Sequence, residues 1–391
     1  MRDWIASRVA AMPRVGSRLS LDHADRAKAR GVGVLKTSGT PPSPPAEHVL
    51  EAAARAVRDN GTAPSQGLIE LREAAAAKLR RDNGVVVDPA TEILVTSGGQ
   101  QGLLLAMLGA LEPADEIIVP TPSYFIDALV ALSGATARFV PLDAGTGYAL
   151  DLDRIADAVT DRTKAVLLVN PSNPGGHVAT VGELQALVDL AGRRDLLVLA
   201  DESYERIVFD GRTHQSVAAL SGSAGRVVTV HSCSKTYALA GWRVGYVVAP
   251  APLTAQFRKL LEWTQLGCDY VSQHAARAAL SGPQGWTWAI RDRFEENRNR
   301  LVDEAGKLRH VPYVIPEGNP NLFLDFTATG RSADAIAEYL LNRHGIRTTP
   351  GEFFHTPGHV RLEFGGALDT IAEVGRRLAR AAHELDGMAA T

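Results

Sequence analysis

The stretch "RVVTVHSCSKTYALAGWRVGYVVAP", Arg226 to Pro250, decides the fold. Two runs rich in β-branched residues, "RVVTVHS" and "GYVVAP", flank a polar, glycine-bearing segment that holds Lys235. Runs this apolar are expected where a strand is covered on both faces. Working outward, "EILVTS", "EIIVP", "ARFVP", "KAVLLVN" and "LLVLAD" read the same way, and helical stretches lie between them. Such alternation predicts an α/β domain on a mostly parallel sheet.

Ligands of such sheets gather at the carboxyl ends of the strands, and there the chain places its polar residues. Ser97 to Gln101 follow the first run, Asn170 and Asn173 the fourth, Asp201 the fifth, and Ser232 to Lys235 the sixth. Lys235 is unusual among the seven lysines. Most of the others, Lys28, Lys36, Lys78, Lys164, Lys259 and Lys307, stand among charged or turn residues, as solvated lysines do. Lys235 stands among serines, a cysteine, a tyrosine and glycines, where a plain cation gains little. That setting points to chemistry at its amine.

The 391 residues, 45% of them apolar, suffice for a large core and two to three domains of about 150 residues each. A net charge of -3, with acids and bases interspersed, gives no basic face for nucleic acid or anionic lipid. Two cysteines, Cys233 and Cys268, are too few for a disulfide framework and match no metal site, which fits a reducing cytoplasm. The start carries charges at Arg2, Asp3 and Arg8, and no segment approaches the ~18 consecutive apolar residues of a membrane span. Neither export nor membrane insertion is expected.

Residues 1–45 end in the proline-rich "SGTPPSPP" and read as an extended arm or strap. Residues 46–285 form the large domain, opened by two helices that stop at Asn-Gly. Residues 286–391 change texture to a long charged helix, "NLFLDF", a helix from Ser332 to His344, "HVRLEFG" and a closing amphipathic helix. This predicts a smaller α+β domain, which the arm joins.

Several residues suit one ligand. An amine that forms an imine is deprotonated part of the time, through desolvation or a nearby cation such as Arg243. In "TSGGQQG", Gly98 and Gly99 offer bare amides at a helix start for a phosphate, or simply make a tight turn. Tyr124 is either a stacking ring or a core aromatic. Asp201 ends an apolar strand, as the partner of a protonated ring nitrogen or as a cap on the next turn. Asp269 in "TQLGCDY" reads either as a contact to a cationic or polar substrate side chain or as a helix cap.

"NPSNPGG", "DESYE", "SCSKTYALAGWRVGY" and "HVRLEFG", in this order and spacing, resemble the class I/II aminotransferases of fold type I, which bind pyridoxal 5′-phosphate (PLP). The resemblance runs from about Arg30 to the last helix. It implies that Lys235 links covalently to the cofactor and moves a proton at the substrate, while Asp201 keeps the pyridine nitrogen protonated. It further implies that Asn173 and Tyr204 hold the ring hydroxyl and that Tyr124 stacks on the ring. Gly99, Gln100, Ser232, Ser234 and Arg243 would bind the phosphate, and Arg361, with Asn173 and the backbone at Gly39, the substrate carboxylate. A homodimer exchanging amino groups between α-amino acids and 2-oxo acids is implied, with no metal.

Two positions depart from the family pattern. Thr62 stands where the family commonly has a tyrosine reaching the neighbouring subunit's phosphate, and Gly175 replaces the usual threonine of Asn-Pro-Thr-Gly. Such changes accompany other outcomes on this scaffold, so elimination, replacement, cyclisation or oxidation is the first rival to transamination. A sensor domain of a transcription regulator is disfavoured, because the 45 residues before the first helix read as too short for a DNA-binding domain. A nucleotide-dependent oxidoreductase lacks its glycine fingerprint.

Overall fold

Seven strands form one sheet in this computed structural model, which describes residues 4–389 except Ala11, Pro42, Phe125, Lys307, Arg309 and His310, and no side chain for Arg8 or 386–389. Arg2, Asp3 and Lys307 thus lie outside the described residues. The strands are β1 (Ile93–Thr96), β2 (Glu116–Thr121), β3 (Thr136–Pro141), β4 (Thr163–Val169), β5 (Leu197–Asp201), β6 (Val227–Ser232) and β7 (Gly245–Val248). Each corresponds to one of the seven apolar runs.

Their order is β1-β7-β6-β5-β4-β2-β3, and only β7 runs antiparallel to its neighbours. Helices cover both faces of the central strands, which is why those are largely apolar rather than alternating, while the edge strand β3 is only partly buried and carries Arg138. One face packs Leu103, Ala106, Phe257 and Leu261 against Val95, Val230 and Val247. The other packs Leu184, Leu187 and Ala191 against Val166, Leu168 and Val198. The helix Val181–Arg194 behind this second face starts on a capping box, with Thr180 and Glu183 satisfying each other's backbone amides.

A second sheet has the order β8 (Asn321–Asp325), β10 (His359–Glu363), β9 (Thr349–Pro350), all antiparallel. Its own core joins Leu322, Leu324, Val360 and Leu362 to Phe294, Leu301, Leu340 and Leu378 of the flanking helices. No described helix is long and apolar enough to cross a membrane.

The first 45 residues differ from a plain strap, because Gly16–Ala29 is a helix. Its inward face consists of Gly16, Ser20, Ala24 and Ala27, too small and polar to register as an apolar stripe. Beyond it the chain runs extended, with Ser38 bridging Gly365 beside β10. The arm thereby delivers Gly39 to the space between the two sheets.

Candidate active site

The parallel register aligns Val169 with Asp201 and Asp201 with Val230, so β4, β5 and β6 end side by side. Asn173, Asp201 to Tyr204 and Ser232 to Lys235 follow those ends directly. At the end of β6 the Ser232 hydroxyl accepts from the Ser234 amide at 3.2 Å, starting a one-turn helix, Cys233–Thr236, that carries Lys235. Lys235 Nζ donates to the Gly39 carbonyl at 2.9 Å and lies 5.4 Å from the centre of the Tyr204 ring. Burial lowers the Lys235 pKa, and the nearby Tyr124 and Glu363 oppose that shift without cancelling it. The adjacent Cys233 is a poor nucleophile, since burial pushes its thiol up to about 12.

Asp201 has the opposite problem. Burial raises its carboxyl, and the amide of Ser203 at 2.9 Å opposes that rise. It forms no ion pair among the described residues. A cationic ring nitrogen would supply the missing partner. Tyr204 is buried, and that burial raises its phenol, with Asn321 opposing the rise. Asn321 Nδ2 donates to Asn173 Oδ1 at 3.3 Å, tying β8 to the end of β4. Tyr124 packs with Tyr148, Phe323 and Phe354, and burial raises its phenol against the opposing charge of Lys235.

On another side of Lys235, the helix Gly99–Ala110 points its N-terminus at the site. Gly98 is needed there: it has φ +80°, and a Cβ would lie 2.4 Å from Arg243 Nη2. Arg243 itself adopts a left-handed φ of 54°, and Nη2 donates to the Ser97 carbonyl at 3.2 Å. Ser203 and Ser232 both approach the face of Gly99. Gln100 is exposed at the helix start, and Ser234 is buried. Bare amides, hydroxyls and a guanidinium at a helix N-terminus are an anion cradle.

Arg361 enters from β10. It is 2% exposed, and its Nη1 donates to Asn173 Oδ1 at 3.2 Å. Its Nη2 faces Glu363 Oε1 at 3.4 Å. The site therefore offers, in order, an anion cradle, a carboxylate for a ring cation, an amine and a guanidinium fork.

Three further findings bear on the sequence reading. Gly175 is tightly packed: a Cβ there would stand 3.0 Å from both the Tyr148 ring and Ser172 Oγ, so a side chain requires one of them to give by a few tenths of an ångström. Asp269 caps the helix Tyr270–Ser281, accepting from the Ser272 amide at 2.6 Å. Lys78 corrects the expectation of solvated lysines: it is 1% exposed and ion-paired with Glu205. Glu363, Arg347 and Asn321 were missed as site residues. "HVRLEFG" offered the one available signal, an acid two residues after the arginine and on the same face of the strand.

Residues 33–378 match the sequence profile of the family described as aminotransferase class I and II. The probable aspartate/prephenate aminotransferase of Aquifex aeolicus is 31% identical over 98% of this chain and 100% of its own length. The arginine–pyruvate transaminase of Pseudomonas aeruginosa is 33% identical over 91% of each chain. The solved structure of Thermus thermophilus aspartate aminotransferase with maleate is similar, with a TM-score of 0.91 at 30% identity over 97% of this chain and 100% of that one.

Proposed function

Because the chain belongs to the class I and II aminotransferases, and so exchanges the amino group of an α-amino acid with a 2-oxo acid, we propose that it works with PLP held covalently by Lys235. The observation that carries this reading is the pairing of a half-buried amine of lowered pKa with a half-buried carboxylate of raised pKa that forms no ion pair among the described residues. When bound, PLP supplies a reactive carbonyl carbon and an electron-withdrawing ring. Asp201 would hold the proton on the ring nitrogen, Tyr204 and Asn173 would hold the ring hydroxyl, and Tyr124 would pack against the ring. Gly99, Gln100, Ser232, Ser234 and Arg243 take the phosphate. Arg361, Asn173 and the Gly39 backbone fix the substrate carboxylate, which leaves Lys235 to move the proton at the substrate Cα.

The reading includes a homodimer, supported by Leu266, 78% exposed in the hollow that also holds Thr62 and Tyr270, and by Trp263, 92% exposed near the end of the preceding helix. It places the chain in the cytoplasm, in keeping with two free, buried cysteines. It keeps the division into an arm, a large domain and a small domain at about residues 45 and 285, supported by the separate cores.

The test incubates the cofactor-loaded enzyme with a panel of amino acids and 2-oxo acids and identifies products by mass spectrometry. One equivalent of 2-oxo acid per amino group transferred is expected. Ammonia, a cyclised product or a lost side-chain group, formed over many turnovers without an acceptor, would overturn transamination.

A further inference from the structure

Three charged side chains from two segments, Arg361 and Glu363 on β10 and Arg347 ahead of β9, meet beside Gly39. Glu363 Oε2 bonds Arg347 Nη2 at 2.6 Å, and Glu363 Oε1 faces Arg361 Nη2 at 3.4 Å. Arg347 Nη2 also donates to the Thr37 carbonyl at 2.8 Å, so the arm fixes this guanidinium in place. Both arginines are buried and Glu363 is nearly so, with a side-chain exposure of 16%. Gly39 fits because it has no Cβ, which would stand 2.7 Å from Glu363 Oε1 and 3.7 Å from Lys235 Nζ. The carboxylate therefore lies against the clamp and near the reactive amine.

The two ends of Glu363 are unequal. The contact to Arg347 is a short, charge-assisted hydrogen bond, whereas the contact to Arg361 is long. Burial pushes the Glu363 carboxyl up, but the charges of Arg361 and Arg347 outweigh it, and the group stays ionised. Two guanidiniums and one carboxylate leave one net positive charge, enough to balance one substrate carboxylate. Without Arg347, Glu363 would close on Arg361 and neutralise it. Without Glu363, two buried guanidiniums would face the substrate.

We infer that Glu363 and Arg347 are positioning residues of the substrate site: Glu363 is a built-in competitor for Arg361, and Arg347 holds it back so that the clamp stays open to one carboxylate. The inference rests on the reading of Arg361 as that clamp. Substrate binding displaces the long Glu363–Arg361 contact and keeps the short Glu363–Arg347 one.

The test is calorimetric titration of the loaded enzyme with maleate, a dicarboxylate without an amine, so that binding is read apart from turnover. Glu363→Ser is expected to tighten maleate and Arg347→Met to weaken it, each by about tenfold or more. The double variant has the net charge of the parent and is expected within about threefold of it, a coupling that independent sites do not show. Arg347→Lys, which keeps the charge, is expected to bind better than Arg347→Met. If both single variants weaken maleate and the double is no better, the inference is overturned. Should Arg347→Met fail to fold, Glu363→Gln decides alone: tighter binding supports the inference, and equal or weaker binding overturns it. Arg361→Lys separates the two levels, since unchanged maleate affinity there overturns the clamp reading itself.

Discussion

Lys78 is buried and Lys235 half-buried, and their surroundings treat them in opposite ways. Lys78 closes the helix Ile69–Lys78, pairs with Glu205 and donates to Asn83 Oδ1 at 2.8 Å. Burial pushes Glu205 up, but the charges of Lys78 and His231 outweigh it and hold its carboxyl well below its ordinary value. Around Lys235 the nearest acceptor is a backbone carbonyl, and the local charges only partly offset the desolvation that lowers its pKa. A buried ammonium with a matched carboxylate is a structural cation. One with a neutral acceptor is inclined to shed its proton, and a shed proton makes a nucleophile.

The largest test of this contrast is chemical. Lys235→Ala should abolish borohydride fixation of the cofactor and cut turnover by at least about 10⁴-fold, as removal of a covalent centre does. Lys78→Met should leave fixation intact, with the label in the peptide carrying Lys235. Label recovered on the Lys78 peptide would break the comparison outright. Next in size, Asp201→Asn should slow single turnovers by about 10²–10³-fold, the usual cost of losing one preorganised charge at a reacting centre. Rates close to the parent's would remove Asp201 from the chemistry.

Lys78 should report on stability instead. Lys78→Met strands the Glu205 carboxylate beside Glu202, which has a buried oxygen without a hydrogen bond, and should cost about 3–5 kcal/mol in denaturant unfolding. Lys78→Met/Glu205→Leu should recover most of that, because the stranded charge goes with its partner. The pH dependence has a fixed sign. Glu205 has a folded pKa depressed below its ordinary 4.5, so its contribution is fully present above pH 4.5 and is lost as pH falls through the folded value. The double variant should therefore show a flatter acid limb than the parent. An equally steep limb would mean that other carboxylates govern acid unfolding.

The same contrast explains what was legible beforehand. Most strands of the large sheet could be read because they are covered on both faces and so are largely apolar, whereas β3, at the sheet's edge, is exposed at both ends and carries Arg138. Asn173, Asp201 to Tyr204 and Ser232 to Lys235 follow the aligned ends of β4, β5 and β6. The antiparallel turn of β7 left no local trace. The helix Gly16–Ala29 was hidden by an inward face of glycine, serine and alanine. Lys78 reads as solvated because "KLRRDNG" surrounds it with charge, while the carboxylate that matches it arrives from the segment after β5. Arg347 likewise belongs to no motif, and only the approach of the arm and β10 gives it a partner. Side chains whose role depends on a distant segment carry no periodicity and no spacing to read.

The smallest expected effect concerns Asp269, a carboxylate that borders the hollow containing Arg243, Ser97 and Gln265. By position it resembles a specificity residue, as Glu363 does by its contact with the clamp. Geometry separates them. Asp269 Oδ2 accepts from the Ser272 amide at 2.6 Å and so spends its charge on the first turn of the helix Tyr270–Ser281, whereas Glu363 spends its charge on two guanidiniums. A capping aspartate replaced by alanine costs about 1 kcal/mol. Asp269→Ala should therefore lower the unfolding midpoint slightly and leave the ranking of amino-acid substrates by kcat/KM unchanged, while Asp269→Ser, which can still cap, should restore the midpoint. A selective rise in KM for basic amino acids at unaltered stability would show instead that Asp269 reads substrate charge, and that a short hydrogen bond to a helix amide does not suffice to tell a structural carboxylate from a recognising one.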